Sequence, residues 1–409
     1  MRNGVTLPVL AVVYDFGAAG LQEIIASARN LCQIVFVCDR SSQHVDHRMA
    51  ALDGYATICD ISGADQAGAA ELVARHAPAG IVTFSEARIA LTAAIARRCG
   101  LNYHDDATVA ALTDKLAQRA ALRAAGVDTT RSARVGHPDD VAGALAEVGL
   151  PAIIKPRHGA ASRDTFPVTE VADAVAVLSR GGDFVLEELL VGDPRIAGER
   201  WGDRVSVESV VTDGELRTIA VTGKFTLAEP FRETGQFAPS TLPEPLADQV
   251  RELAEAAVRA VGVRSGLTHT EIKLTRTGPR VIEVNGRMGG NIGDMMRRGM
   301  GFDIVRAALQ TALGERPVLP TRRRAEVIYQ RYLAPPPRLT TLLALDGLDR
   351  VRGLRGVRLV EERVGPGTEL DWRRGTEECL AIVYGAAADH DELYAAITAI
   401  DETVSAVYA

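Results

Sequence analysis

The chain has 409 residues, 47% of them apolar and 24% charged, with Lys and Arg numbering 46 against 53 Asp and Glu. That length suggests about two to four domains, and the apolar fraction is enough for a core without disulfides or metals. The net charge of −7 lacks the basic footprint of a nucleic-acid or anionic-membrane binder.

Cys32, Cys38, Cys59, Cys99 and Cys379 are odd in number and include no Cys-x-x-Cys pair. This argues against a zinc site or disulfide framework and fits a reducing, cytoplasmic setting. The apolar stretch from Leu7 to Tyr14 has no small-residue cleavage site, so no signal peptide is expected. No run approaches the ~18 apolar residues of a membrane span.

In chain order, Val9 to Tyr14, Gln33 to Cys38 and Gly80 to Phe84 read as buried strands, with helices at Leu21 to Leu31 and Ile89 to Cys99. Continuous apolar strands alternating with helices predict a parallel sheet covered on both faces. The turn Gly17-Ala18-Ala19-Gly20 lacks the Gly-x-Gly-x-x-Gly spacing of a dinucleotide site. Asp114 to Ala125, stopped by Gly126, reads as a helix. A short strand from Ala152 to Lys155 leads into a glycine- and alanine-rich loop at 157–163, and strands follow at Asp183 to Leu190 and Arg204 to Val211. Gln249 to Val261 carries an i, i+3, i+4 apolar stripe closed by Gly262. Arg322-Arg323-Arg324 reads as a solvated linker into a small α+β module that ends with a strand at Leu380 to Tyr384 and a helix at Asp391 to Ile400.

Several chemistries are absent from the sequence: there is no His-Glu-x-x-His and no Gly-x-Ser-x-Gly. Gly223-Lys224 is not a P-loop ending, because Thr218 stands where the loop needs Gly and Phe225 where it needs Ser or Thr. His44, Asp46 and His47 lack a fourth ligand and read as surface loop.

The segments Gly266 to Leu274 and Arg280 to Asn285 flank a turn at 275–279. Alternation puts Glu271 and Lys273 on one face, and Glu283 and Asn285 on one face of the return strand. With a three- or five-residue loop, Glu271 lies opposite Glu283. Facing carboxylates repel and need a cation between them. Mg²⁺ suits two carboxylates and an amide oxygen and leaves positions for phosphates. The bland reading is an exposed charged hairpin. Arg287 and the pair Gly289-Gly290 follow directly, adding a guanidinium for oxyanion charge and backbone that a ligand can approach closely.

These residues, with others in order along the chain, resemble the ATP-grasp superfamily and within it the carboxylate–amine ligases typified by dipeptide-forming L-amino acid ligases. The segments that carry the likeness are Ile81 to Glu86, Asp114-Lys115 with Arg119 and Leu122, Ile153 to Arg157 through Ser162, Val185 to Leu190, Val205 to Glu208, Gly223-Lys224, His269 to Glu271 and Glu283 to Arg287. The resemblance implies an α/β and α+β multidomain chain: a Rossmann-like domain over 1–110, an ATP-grasp domain over 111–320 with its lid at about 131–187, and a C-terminal α+β subdomain over 321–409.

It implies that Lys115 and Lys155 neutralise the ATP phosphates and that the loop around Gly159 and Ser162 closes over them. Glu187 would accept from the adenine amino group, with the backbone of Glu188 and Leu190 on the ring edge. Lys224 would reach the γ-phosphate. Glu271, Glu283 and Asn285 would hold one or two Mg²⁺, with Mn²⁺ as a substitute, and Arg287 would stabilise the transferring phosphoryl group. The substrate side would include Glu86, Gln236, His269, Gly290 and Asn291. Relatives carry His where this chain has Gln236, so His269 is a second candidate to take the amine's proton, against a structural role in packing. The implied reaction activates a carboxylate as an acylphosphate and joins it to an amine. The implied partners are these small molecules, with neither nucleic acid nor membrane, and a homodimer is the candidate assembly. Alternatives are a biotin-carboxylase-like or purine-pathway ATP-grasp enzyme acting on bicarbonate or formate, and a subunit that binds ATP without turning it over. An NAD oxidoreductase lacks its glycine fingerprint.

Overall fold

The computed structural model describes residues 7–52, 54, 56–320 and 326–409, so the Arg322–Arg324 linker lies outside the described residues. Four strands, β1 (Val9–Val13), β2 (Gln33–Cys38), β3 (Thr57–Asp60) and β4 (Gly80–Thr83), form a parallel sheet in the order β3-β2-β1-β4. Their two faces bury different cores, because successive side chains alternate. Leu10, Val12 and Phe36 pack on one side with Ile24, Ile292, Met296 and Ile304. Ala11, Val13, Val35 and Val37 pack on the other with Val73 and Ile95. The first of these cores fuses the N-terminal sheet to the helices at Ile292–Met300 and Ile304–Ala312.

A second, antiparallel sheet contains β5 (Ser132–Val135), β6 (Ala152–Pro156), β7 (Phe166–Val168) and β8 (Phe184–Glu188), in the order β5-β8-β6-β7. Helices Val141–Val148 and Val171–Leu178 cover one face with Val141, Leu145 and Val177 against Ile154 and Leu186. Alternation therefore leaves Lys155 and Glu187 on the opposite face.

The centre is built from β9 (Arg204–Thr212), β10 (Glu215–Lys224), β11 (Gly235–Ala238), β12 (Gly266–Thr275) and β13 (Gly278–Asn285). The C-terminal segment adds β14 (Val327–Tyr332), β15 (Thr340–Asp346), β16 (Val357–Glu362), β17 (Glu369–Leu370), β18 (Ala381–Ala387) and β19 (Ser405–Tyr408). Of these, β14, β18 and β16 continue the central sheet to eight strands in the order β13-β12-β9-β10-β11-β14-β18-β16, while β17-β15-β19 form a small sheet of their own. Every pairing in the central sheet is antiparallel.

The amphipathic helix begins at Glu244, just after Pro243, and runs to Ala260, starting earlier than its stripe suggests. It lays Val250 and Ala254 on Val205, Val207 and Ile272, and Ala257 and Val258 on Val211, Val281 and Val284. One face of the sheet is thus apolar and roofed. The other carries the buried polar residues Ser206, Glu208, Thr222, Lys224, Gln236, His269, Asn285 and Gln330. Among the described residues, no helix is long and apolar enough to cross a membrane.

Candidate active site

The β12–β13 hairpin reaches its expected pairing by an unexpected route. The turn is tight, since Thr275 pairs with Gly278 and only Arg276 and Thr277 lie between. Continued without interruption, that register would set Ile282 opposite Glu271. A β-bulge intervenes: Ile272 pairs with Val281, but Glu271 pairs with Glu283, leaving Ile282 as the extra residue. The two carboxylates then face each other on the polar side, and His269 pairs with Asn285 beyond them.

The bulge is held from outside the sheet. In the helix Lys115–Ala124, Asp114 caps the N-terminus by accepting from the backbone of Leu116 and Ala117. From this helix Arg119 donates to the carbonyls of Val281 (2.8 Å) and Ile282 (2.7 Å). Gln118 exchanges two hydrogen bonds with the backbone of Val284, and Asp128 accepts from Val281 N–H. The outer edge of β13 is satisfied by side chains in place of a further strand. One turn earlier, Lys115 donates to Gly159 O at 2.5 Å and pairs with Glu283 at 3.1 Å.

The Glu187 carboxylate is engaged by two cations. Arg119 binds it in bidentate fashion at 3.1 and 2.9 Å, and Lys155 lies 2.9 Å away. Arg119 and Glu187 are buried and Lys155 is only 12% exposed, so each charge finds its partner inside the protein. Burial alone raises the Glu187 pKa, but Arg119 and Lys155 outweigh it and bring the group down to about 2. Glu188 donates its backbone N–H to Arg131 O and pairs its carboxylate with Arg131, while Leu190 lies two residues past the end of β8.

Glu187→Gln is expected to destabilise the chain by about 3–5 kcal/mol, because it leaves Arg119 and Lys155 buried with uncompensated charge. The folded pKa lies below the ordinary value, so the contribution is present above pH 4.5 and is lost as pH falls from there toward 2. Urea unfolding checks this: the gap between wild type and variant should be wide at pH 7 and narrow by pH 3. A gap independent of pH would refute it.

Beyond Asn285 the chain leaves the sheet at Gly286, where a Cβ would meet the Leu112 side chain at 2.5 Å. Arg287 pairs with Glu86 at 3.0 Å and lies 3.4 Å from Asn285 Oδ1. Burial pushes the Glu86 carboxyl up from its ordinary value, with Arg287 pulling against it. Gln236 accepts from Lys224 at 2.9 Å and donates to Gly290 O at 2.9 Å. Gln330 donates to Asn291 O at 2.6 Å, so the two glutamines pin the 290–291 turn.

His269 is buried between two carboxylates. Its Nδ1 is hydrogen-bonded to Glu208, and its Nε2 lies 3.4 Å from Glu271. Burial disfavours the imidazolium, yet the two carboxylates prevail and push the pKa up to about 9. Glu208 also accepts from Gly289 N–H at 3.1 Å, which fixes the loop after Arg287.

The loop after β6 folds back with Gly159, Ala161, Ser162 and Asp164 at positive φ. It meets the segment Trp372–Glu377: Thr376 N–H donates to Ala161 O at 2.9 Å, Asp164 N–H to Arg373 O at 3.0 Å, and Arg163 pairs with Glu377. Phe166 and Trp372 stack edge to face.

Sequence reasoning missed Arg119 as the partner of Glu187, Glu233 beside Lys224 (3.2 Å), and Arg204 beside Glu233 (3.3 Å). The alternation of Arg204, Ser206 and Glu208 along β9 was the available signal for the last of these. In the 44–47 segment, Asp46 pairs with Arg40.

Residues 148–294 match a family model described as an ATP-grasp domain. Alanine–anticapsin ligase of Bacillus subtilis (strain 168) is 30% identical over 249 residues, which cover 56% of this chain and 52% of that protein. Carnosine synthase 1 of Gallus gallus is 36% identical over 192 residues, covering 44% of this chain and 20% of that protein. The solved structure of L-amino acid ligase from Bacillus licheniformis superposes with a TM-score of 0.79 at 19% identity, covering 99% of both chains. The match spans 60%, 52% and 45% of the length of three curated relatives. The chain has the ATP-grasp fold, and its residues 148–294 are an ATP-grasp domain.

Proposed function

We propose that this chain is an ATP-dependent ligase that activates a carboxylate, of the amino-acid class, and joins it to an amine. The observation that carries the reading is the bulge-set pair Glu271 and Glu283, facing each other beside Asn285, with Lys115 and Arg287 at their edges. Relatives named as amino-acid ligases support the choice of substrate class.

The donor set fits magnesium: two carboxylates that are partly open to solvent and an amide oxygen, all hard ligands on one face. When bound, the ion would screen the phosphate charges and orient the γ-phosphoryl group for in-line attack. The chain's own residues do the rest. Lys115 and Lys155 neutralise phosphate oxygens as point charges. The loop at 157–163 covers the phosphates and excludes water that would hydrolyse an acylphosphate. Arg287, released from Glu86, spreads its guanidinium over the oxyanion charge that develops during transfer. Glu86 is then placed to accept from a substrate ammonium group, and Gln236 and Gln330 hold Gly290 and Asn291 beside it.

In the reaction a substrate carboxylate oxygen attacks the γ-phosphorus and the bond to ADP breaks. The amine nitrogen then attacks the acyl carbon, phosphate departs with the bonding pair, and the amine proton passes to solvent.

The test is phosphate release across pairs of amino acids and amines, with mass spectrometry of the products. The expected result is release that requires both members of a pair, and a product heavier than the carboxylate by the amine less water. Release with bicarbonate alone, or with no amine present, would overturn the reading.

A further inference from the structure

We propose that Arg204, acting with Lys224, forms an anion seat for the transferring phosphoryl group, and that Glu233 fills this seat until nucleotide enters. This deepens the ligase reading and rests on it.

The argument begins with an orphan. The Arg204 side chain is 5% exposed, and its Nη2 lies 3.3 Å from Glu233 Oε1. Its other terminal nitrogen, Nη1, is buried with no hydrogen-bond partner. Leaving a guanidinium donor unsatisfied in the interior costs free energy that a purely structural arginine would avoid, so the group calls for an explanation. Lys224, 2% exposed, turns to the same Oε1 at 3.2 Å. Two buried cations thus share one carboxylate oxygen, and one of them keeps a donor in reserve. A phosphoryl group supplies three oxygens where Glu233 supplies one, and the guanidinium fork matches that geometry.

Position agrees with chemistry. Arg204 precedes Ser206 by two residues on β9, and Ser206 pairs with Glu271. The guanidinium therefore stands one pleat along from the carboxylate pair and on the same face. Gly223 pairs with Val205, which brings Lys224 alongside Arg204. Asp203 does not supply the missing acceptor, because it is engaged by Lys273 at 2.7 Å. Glu233 sits in the connection between β10 and β11 and, 22% exposed, is the most exposed side chain of the three.

The test compares Mg-ADP with Mg-AMP-PNP, which carries a γ-phosphoryl group that is not transferred, by calorimetric titration of the full chain. Wild type should bind AMP-PNP more tightly than ADP. Arg204→Gln should lose about tenfold in AMP-PNP affinity, the loss of one charge-assisted hydrogen bond, and keep ADP affinity within about twofold of wild type. Arg204→Lys keeps the buried charge without the fork and should fall between, so it decides the matter if the Gln variant does not fold. Glu233→Gln should raise AMP-PNP affinity by removing the occupant.

An unchanged preference for AMP-PNP in both Arg204 variants would make the residue structural and overturn the seat. So would an equal loss for both nucleotides, or an intact preference with a raised KM for the carboxylate substrate, which would assign the anion to that substrate. A wild-type chain that binds neither nucleotide would instead overturn the ligase reading itself, and the seat with it.

Discussion

Arg287→Ala is expected to lower substrate-dependent phosphate release by on the order of 10²–10³, while nucleotide affinity stays within a few-fold of wild type. Arg287 bonds Glu86 and lies beside Asn285, one of the proposed metal ligands, so in the resting chain it touches the site's edge. Its fork meets charge that is fully developed only as the phosphoryl group moves, so its loss should appear in kcat before it appears in binding. The variant also removes the cation beside Glu86, whose carboxyl burial already pushes up. Arg287→Lys keeps a charge but not the bidentate geometry and should be impaired as well. Rates are compared with nucleotide affinities measured separately. If both variants lose affinity in step with rate, Arg287 is a ground-state contact and the assigned role is wrong.

Glu283→Gln and Glu271→Gln should each lower Mg²⁺-dependent ADP formation by on the order of 10³, equivalent to several kcal/mol of lost metal-assisted stabilisation. Neither change should unfold the chain. Both side chains lie on the polar face and keep some solvent exposure, and a Gln amide fills nearly the same volume. Lys115 would retain Gly159 O after Glu283→Gln, and His269 would retain Glu208 after Glu271→Gln. Thermal melts establish that the variants are folded, and magnesium titrations of activity locate the defect. Near-wild-type turnover in both, at the same magnesium requirement, would remove these residues from any metal site.

The legibility of this chain in its sequence divides along a physical line. Alternation within one strand is local, so the shared face of Glu271 with Lys273 and of Glu283 with Asn285 could be read directly. Register is not local. The pairing of Glu271 with Glu283 was expected from a three- or five-residue loop, yet it arises from a two-residue loop corrected by a bulge at Ile282. Nothing in Val281-Ile282-Glu283 announces that bulge, because Arg119, which holds it, lies 163 residues from Ile282. The commitment of Glu187 to Arg119 was hidden for the same reason, with 68 residues between them. The C-terminal segment read as a separate small module because its strands are short and punctuated by glycine, while β14, β18 and β16 in fact extend the central sheet. Arg204 went unremarked because an arginine at the start of an alternating strand looks like an edge residue until Glu233 is found beside it.

The β5–β8 sheet is fastened at two ends of unequal strength. At its root, Arg119 on the central body grips Glu187 on β8, both buried, and parting them would cost several kcal/mol. At its tip, Arg163 and Glu377 form a pair 53% and 32% exposed, worth about 0–1 kcal/mol, beside two backbone hydrogen bonds and the Phe166–Trp372 ring contact. Lys155 belongs to the root through its bond to Glu187, whereas Gly159 and Ser162 lie in the loop that meets Trp372–Glu377. On the proposed ligase reading, any movement of the 157–163 loop would part the backbone bonds at the tip and leave the buried grip of Arg119 on Glu187, with Lys155 beside it, in place.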